Sequence, residues 1–198
     1  IEVNAACWAL DHEGSQRLFR RADAPYFEIH WSDPEEKGDT CFVIQPGVPK
    51  RLDRYVTRIT APNPGAMTGP GTNTYLVGED ELAVIDPGPD DPAHIKALLR
   101  ALDGERVTHI LVTHRHMDHS PAARPLAAAT GATIYSSTIP PKDSDCDELR
   151  LEAGDDRRFE PDIDVKDGDR FTGPGWTVEA VFTPGHTANH MAYALTEE

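Results

Sequence analysis

The segment Thr113-His114-Arg115-His116-Met117-Asp118-His119 packs three histidines and a carboxylate into a few consecutive residues. Imidazole and carboxylate are the ligand types that suit zinc, manganese and iron. In an extended segment, positions i and i+2 point the same way, so His114 and His116 can reach one ion. A turn after Met117 would swing Asp118 and His119 toward a second, nearby point. Two adjacent ligand sets suggest two metals, the arrangement used for in-line hydrolysis. A second segment, Thr183-Pro184-Gly185-His186-Thr187, offers a sharp Pro-Gly turn that projects His186. A third imidazole completes a three-nitrogen site and leaves a fourth position for water, as catalytic rather than structural zinc does.

Both segments follow apolar runs that read as strands. Val107–Thr113 leads into the first, and the alternating Trp176–Phe182 leads into the second. Upstream, Thr74–Val77 and Leu82–Ile85 are apolar runs separated by Gly78-Glu79-Asp80-Glu81, which predicts a hairpin. Asp86-Pro87-Gly88 closes the second run. Asp91 can cap a helix with Pro92 at its first position, and Ile95, Leu98, Leu99 and Leu102 define its apolar face with Gly104 as the stop. Residues 121–130 predict a second helix ended by Gly131, although Pro125 would fall in its second turn. Ala132–Tyr135 and His190–Leu195 read as further strands. Phe42–Ile44 is a strand candidate closed by the Gln45-Pro46-Gly47 turn, residues 61–71 form a loop, and residues 141–170 read as a polar surface excursion.

The chain has 198 residues, 34 acidic and 19 basic, for a formal net charge of −15. That balance disfavours double-stranded DNA and anionic membrane surfaces as partners. Residues 141–198 hold 15 of the acidic side chains, away from the histidine segment. Three widely spaced cysteines, Cys7, Cys41 and Cys146, make no CxxC pair, and no apolar run is long enough to span a membrane. The expectation is a cytoplasmic protein with no membrane partner, and oligomeric state is left open.

The Thr113–His119 segment resembles the HxHxDH motif of the metallo-β-lactamase superfamily, and Thr183–Thr187 is similar to its downstream TPGHT element. Leu82–Gly88 resembles the strand and aspartate that precede them. Asn63–Thr68 and Gly71–Gly78 resemble the opening of the β-lactamase-like protein 2 branch, which includes endoribonucleases acting on single strands. The resemblance implies an α+β fold, an αββα sandwich over residues 58–198, preceded by an extension of unassigned role over residues 1–57. The family continues to a bridging aspartate and a last histidine, so the chain is expected to hold the first half of the fold and the start of the second.

Carried over by position, the resemblance assigns His114, His116 and His186 to a first metal and Asp118 and His119 to a second. Asp118 would also act in catalysis, orienting the nucleophile or protonating the leaving group. Asp86 would fix the histidine-bearing loops by hydrogen bonds; capping a tight turn is the alternative. The implied function is a dinuclear-zinc hydrolase, with manganese or iron possible, acting on single-stranded RNA or a small molecule through a metal-activated water. The alternatives are a thioester or lactone hydrolase of the glyoxalase II type and a non-catalytic metal-binding module. His190 reads as a loop-to-strand hydrogen bonder or a substrate contact, Arg115 as an anion contact or a solvent-facing residue, and His94 as solvent-facing on its helix. The acidic run Asp143, Asp145, Asp147 and Glu148 reads as solvated surface.

Overall fold

The computed structural model describes residues 44–65, 67–139 and 154–197 together with the short segments 2–3, 16–17 and 28–29. A seven-stranded sheet has the order β10-β9-β8-β7-β6-β5-β4. Its strands are β4 (Lys50–Arg51), β5 (Val56–Thr60), β6 (Asn73–Glu79), β7 (Glu81–Ile85), β8 (Arg106–Leu111), β9 (Thr133–Ser136) and β10 (Ile163–Asp164). The members from β4 to β7 pair antiparallel, and those from β7 to β10 pair parallel. A four-stranded sheet has the order β1-β13-β12-β11, from β1 (Glu2–Val3), β11 (Arg170–Gly173), β12 (Trp176–Phe182) and β13 (Met191–Glu197). Segments β2 (Gln16–Arg17) and β3 (Glu28–Ile29) pair with each other.

Strand alternation sends each side chain to one of two cores. On β7, Ala83 and Ile85 join a cluster with Trp176, Val178, Ala180, Met191 and Tyr193 between the two sheets. Their neighbours Leu82 and Val84 face a second cluster with Ala97, Leu98 and Leu126 of the helices α1 (Pro92–Ala101) and α2 (Ala123–Thr130). A parallel strand covered on both faces reads as a continuous apolar run, as Leu82–Ile85 does. Helix, sheet and sheet layers therefore form three layers of the expected sandwich among the described residues. No helix among them is long and apolar enough to cross a membrane.

Several sequence expectations need correction. The hairpin turn is tighter than the four residues expected: Glu79 pairs with Glu81 around Asp80, whose φ is 61°. In α1, Asp91 caps the helix by accepting from the His94 amide, as expected, but the buried face is His94, Ala97 and Leu98. Leu99 is exposed, and helix α1 ends at Ala101 with Leu102 as its C-cap, ahead of Gly104. His94, expected in solvent, is fully buried with Nε2 3.0 Å from Thr74 Oγ1. Burial holds its pKa below the ordinary histidine value. A hydrogen-bonded imidazole can occupy a core position that an apolar count assigns to its neighbours.

Helix α2 begins at Ala123 rather than Pro121. Pro125 then lies in the first turn, where the amide it lacks has no intrahelical partner. Residues 154–169 are mostly exposed, as expected of a polar surface excursion, but Asp156 is buried and Val165 enters the core. The run Asp143–Glu148 and residues 42–43 lie outside the described residues.

Gly88 joins this frame to the site. Its φ is 91°, its amide donates to the His119 carbonyl, and its carbonyl accepts from Ala122 at the start of α2. A Cβ at this position would stand 2.7 Å from His94 Nε2. Gly88→Ala is expected to cost at least about 1–3 kcal/mol from backbone strain alone, read by chemical denaturation.

Candidate metal centre

Three loops at one end of the sandwich converge. The first follows β7, the second follows β8, and the third joins β12 to β13. Asp86 opens the first loop. It is fully buried at φ 49°, a conformation that aspartate tolerates better than most side chains. Its Oδ1 accepts from the Thr113 amide at 2.8 Å and its Oδ2 from the Thr113 hydroxyl at 2.9 Å. Oδ2 also accepts from His119 Nδ1 at 2.8 Å.

These contacts fix one histidine tautomer. The Thr113 hydroxyl gives its single proton to Asp86, so it must accept from His114 Nδ1, 2.9 Å away. The proton of His114 therefore sits on Nδ1 and leaves Nε2 a bare lone pair, as a metal ligand requires. Burial, followed by the neighbouring histidines, holds the His114 pKa far below its usual value, so the ring stays neutral.

His116 lies two residues on and is half-buried. Its Nδ1 is 3.1 Å from His114 Nε2 and 3.1 Å from His186 Nε2. The ligand atoms of His114, His116 and His186 all lie within 4.8 Å of one another. Two nitrogens on a tetrahedral zinc with bonds of about 2.0–2.1 Å stand about 3.3 Å apart. Two of the three nitrogen pairs already stand near that separation, and the third closes from at most 4.8 Å to complete one such site.

Asp118 and His119 form a second pair, with His119 Nε2 3.3 Å from Asp118 Oδ2. Asp118 Oδ2 also accepts from the Thr72 hydroxyl at 2.8 Å. Burial alone would lower the His119 pKa, but Asp86 and Asp118 on either side outweigh it and raise the value to about 10. Burial alone would raise the Asp118 pKa, but the hydrogen bond and charge of His119 outweigh it and lower the value to about 2. Without a metal, then, an imidazolium sits between two carboxylates.

A metal on His119 Nε2 must displace that proton. From pH 7 to 9 His119 is protonated in the metal-free protein and Asp118 is ionised, so uptake should release about one proton. Affinity at this pair is expected to rise about tenfold per pH unit and to level off near pH 10. Calorimetry in buffers of different ionisation enthalpy checks the proton count.

The segment after residue 153 braces the histidine loop. The Met117 amide donates to Gly154, the Asp156 amide donates to Arg115, and Ser120 Oγ donates to Asp156 at 3.0 Å. Arg115 is half-buried, and its Nε lies 3.1 Å from Asp155 Oδ1. His190 behaves as a loop-to-strand hydrogen bonder, with Nδ1 2.8 Å from Thr183 Oγ1. It is buried beside His114, their ring centroids 5.2 Å apart, and burial lowers its pKa to about 4. Sequence reasoning missed Thr72, Asn63, Asp155 and Asp156. The available signal for Thr72 was its place in a glycine- and proline-rich loop that must fold back on itself.

Helices outside two facing sheets, with converging histidines at the strand ends, define the class to which known proteins can be compared. The family model of the metallo-beta-lactamase superfamily matches residues 67–198, and the chain belongs to that superfamily of hydrolases. Lactamase-like protein vrtG of Penicillium aethiopicum is 35% identical over 177 residues, covering 88% of this chain and 52% of that protein. The atrochrysone carboxyl ACP thioesterase of Aspergillus fumigatus is 37% identical over 154 residues, covering 74% of this chain and 43% of that protein. The chain thus spans about half the length of the curated relatives it matches. A Cronobacter sakazakii metallo-beta-lactamase with a HARLDQ motif superposes with a TM-score of 0.58 at 22% identity, over 78% of this chain and 60% of that one. BJP-1, a subclass B3 metallo-beta-lactamase of Bradyrhizobium japonicum, gives 0.54 at 22% identity over 78% and 59%. These two likenesses show the fold alone.

Proposed function

We propose that the protein is a metal-dependent thioester hydrolase. Convergence of three imidazoles, one of them locked as an Nδ1–H tautomer, is the observation that carries the metal reading. In this reading His114, His116 and His186 hold the first ion, Asp118 and His119 contribute to a second, and zinc is the metal. Bound there, the ions supply Lewis acidity and a water acidified to near neutral pH. The chain's residues do the rest. Asp86 holds His119 directly and His114 through Thr113. Asp118, ionised and hydrogen-bonded, orients the attacking water, accepts the proton that this water loses, and passes it to the departing thiolate. Water and thioester thereby give carboxylic acid and thiol.

The substrate class rests on relatives. Two of them carry thioesterase in their names, the atrochrysone carboxyl ACP thioesterase and thioesterase pkgB of Emericella nidulans, which is 29% identical over 176 residues. Met117, 42% exposed between His116 and Asp118, offers an apolar edge to an acyl chain. Cleavage of single-stranded RNA is the second reading, favoured by the resemblance of residues 63–78 to the β-lactamase-like protein 2 branch. The widely spaced cysteines favour a cytoplasmic setting.

The test is turnover by the full-length, zinc-loaded protein of acyl thioesters, a lactone, a β-lactam and a single-stranded RNA. Release of free thiol is the expected result. RNA cleavage without thiol release would replace this reading with the phosphodiesterase, and metal uptake with no turnover would favour a binding module.

A further inference from the structure

We infer that Thr72, oriented by Asn63, is the positioning residue that sets the Asp118 carboxylate for the second ion; the inference rests on the metal reading above. Thr72 lies 46 residues from Asp118 in sequence, yet its hydroxyl is 2.8 Å from Asp118 Oδ2. It is 6% exposed, so water does not compete freely for that contact.

The direction of the hydrogen bond follows from the groups around it. The Thr72 amide can only donate, and it gives its proton to Asn63 Oδ1 at 2.9 Å. That fixes the Asn63 amide, whose Nδ2 then donates to Thr72 Oγ1 at 3.1 Å. With one lone pair so engaged, the hydroxyl proton turns to Asp118. The clamp is itself anchored. Thr68 Oγ1 donates to the Asn63 carbonyl at 2.6 Å, and the Ala61 amide donates to the Thr72 carbonyl at 2.8 Å. Gly71 permits this close return, because at its φ of 138° a Cβ would stand 2.0 Å from the Ala61 oxygen. The loop of residues 61–72 thus delivers one directed donor to the centre.

The consequence is specific. His119 Nε2 converges on the same oxygen, Oδ2, that Thr72 holds. Two donors of one second-ion site are kept at ligand separation by a group that binds no metal. Without the hydroxyl, the remaining side-chain restraint on Oδ2 is the proton of His119 Nε2, which an incoming ion displaces, so the carboxylate can turn about its Cβ–Cγ bond as the ion arrives. Groups of this kind tune metal affinity without touching the metal.

Cobalt titration of the full-length protein, followed by absorption, separates the two ions. For Thr72→Val, second-ion affinity is expected to fall about 10–100-fold while the first changes less than about threefold. Thr72→Ser keeps the hydroxyl and should retain second-ion affinity within about threefold. Asn63→Asp keeps the acceptor for the Thr72 amide but draws the hydroxyl proton away from Asp118. Its added charge alone would strengthen cation binding, so a loss of about tenfold or more reports the turned hydroxyl. This variant decides the matter if Thr72→Val proves unfolded by circular dichroism. Unchanged second-ion affinity in Thr72→Val or Asn63→Asp would overturn the inference while leaving the metal reading intact. A wild-type protein that takes up no second ion would overturn the reading itself and the inference with it.

Discussion

Replacement of His116 by alanine is expected to abolish turnover and first-ion binding while leaving the fold in place. His116 is half-buried and offers Nδ1 at 3.1 Å from both His114 Nε2 and His186 Nε2, so it is the ligand the other two share. Its removal leaves two nitrogens, too few to hold the ion in a catalytic geometry. Loss of the ion's charge stabilisation, several kcal/mol, corresponds to at least about a 10³-fold fall in kcat/KM. Neither core cluster includes His116, so the melting temperature of the metal-free protein should shift little. Steady-state kinetics, metal analysis and thermal melts read the three outcomes. Retained turnover in a metal-replete assay would remove His116 from the site.

Asp86→Ala is expected to damage stability and both ion sites together. The carboxylate is the shared acceptor for the Thr113 amide, the Thr113 hydroxyl and His119 Nδ1. Removing one partner of a buried charged pair costs about 3–5 kcal/mol. Alanine at φ 49° adds backbone strain. The Thr113 hydroxyl would also be free to rotate, so His114 would lose the contact that selects its tautomer. Affinity for each ion should therefore fall about 10–100-fold. Asn at this position tolerates the backbone and keeps an acceptor, so Asp86→Asn should be the milder variant. It removes one of the two charges that raise the His119 pKa, and the pH dependence of second-ion uptake should level off at lower pH than in the wild type. Urea denaturation and metal titration distinguish the two substitutions. Equal behaviour of Ala and Asn would show that the acceptor and the backbone tolerance that Asn keeps add nothing to the effect of losing the charge.

The parts of the site that were legible were local. His114, His116, Asp118 and His119 follow one strand at spacings whose geometry is set by two or three backbone angles. His186 follows another strand through a Pro-Gly turn of few possible shapes. Asp86 was legible as a residue that fixes loops, although its route to His114 through the Thr113 hydroxyl was not. What escaped was non-local. Thr72 meets Asp118 across 46 residues, and no periodicity encodes that meeting. Asp155 and Asp156 belonged to an acidic stretch that composition assigns to solvent, whereas their backbone pairs with Arg115 and His116.

The same distinction holds for the fold. The Leu82–Ile85 run, the Asp91 cap and the Gly131 stop each carry their physics within a few residues. Leu98 and Leu102 of the expected α1 face are buried, but Leu99 is not, and counting leucines and isoleucines omits an imidazole, His94, that finds its partner, Thr74, on another element. The early end of α1 at Ala101 and the tight turn at Asp80 are likewise set by neighbours. The Arg106 amide donates to the Asp80 carbonyl, drawing the chain after α1 into β8 beside that turn.

In the proposed reading, histidines from two converging loops, His114 and His116 after β8 and His186 between β12 and β13, hold a catalytic metal. Crystals of the full-length protein grown with zinc, with data collected on both sides of the zinc absorption edge, test it most directly. An anomalous peak within bonding distance of His114 Nε2, His116 Nδ1 and His186 Nε2 is the expected result. Zinc bound elsewhere, with those three nitrogens still paired among themselves, would contradict it.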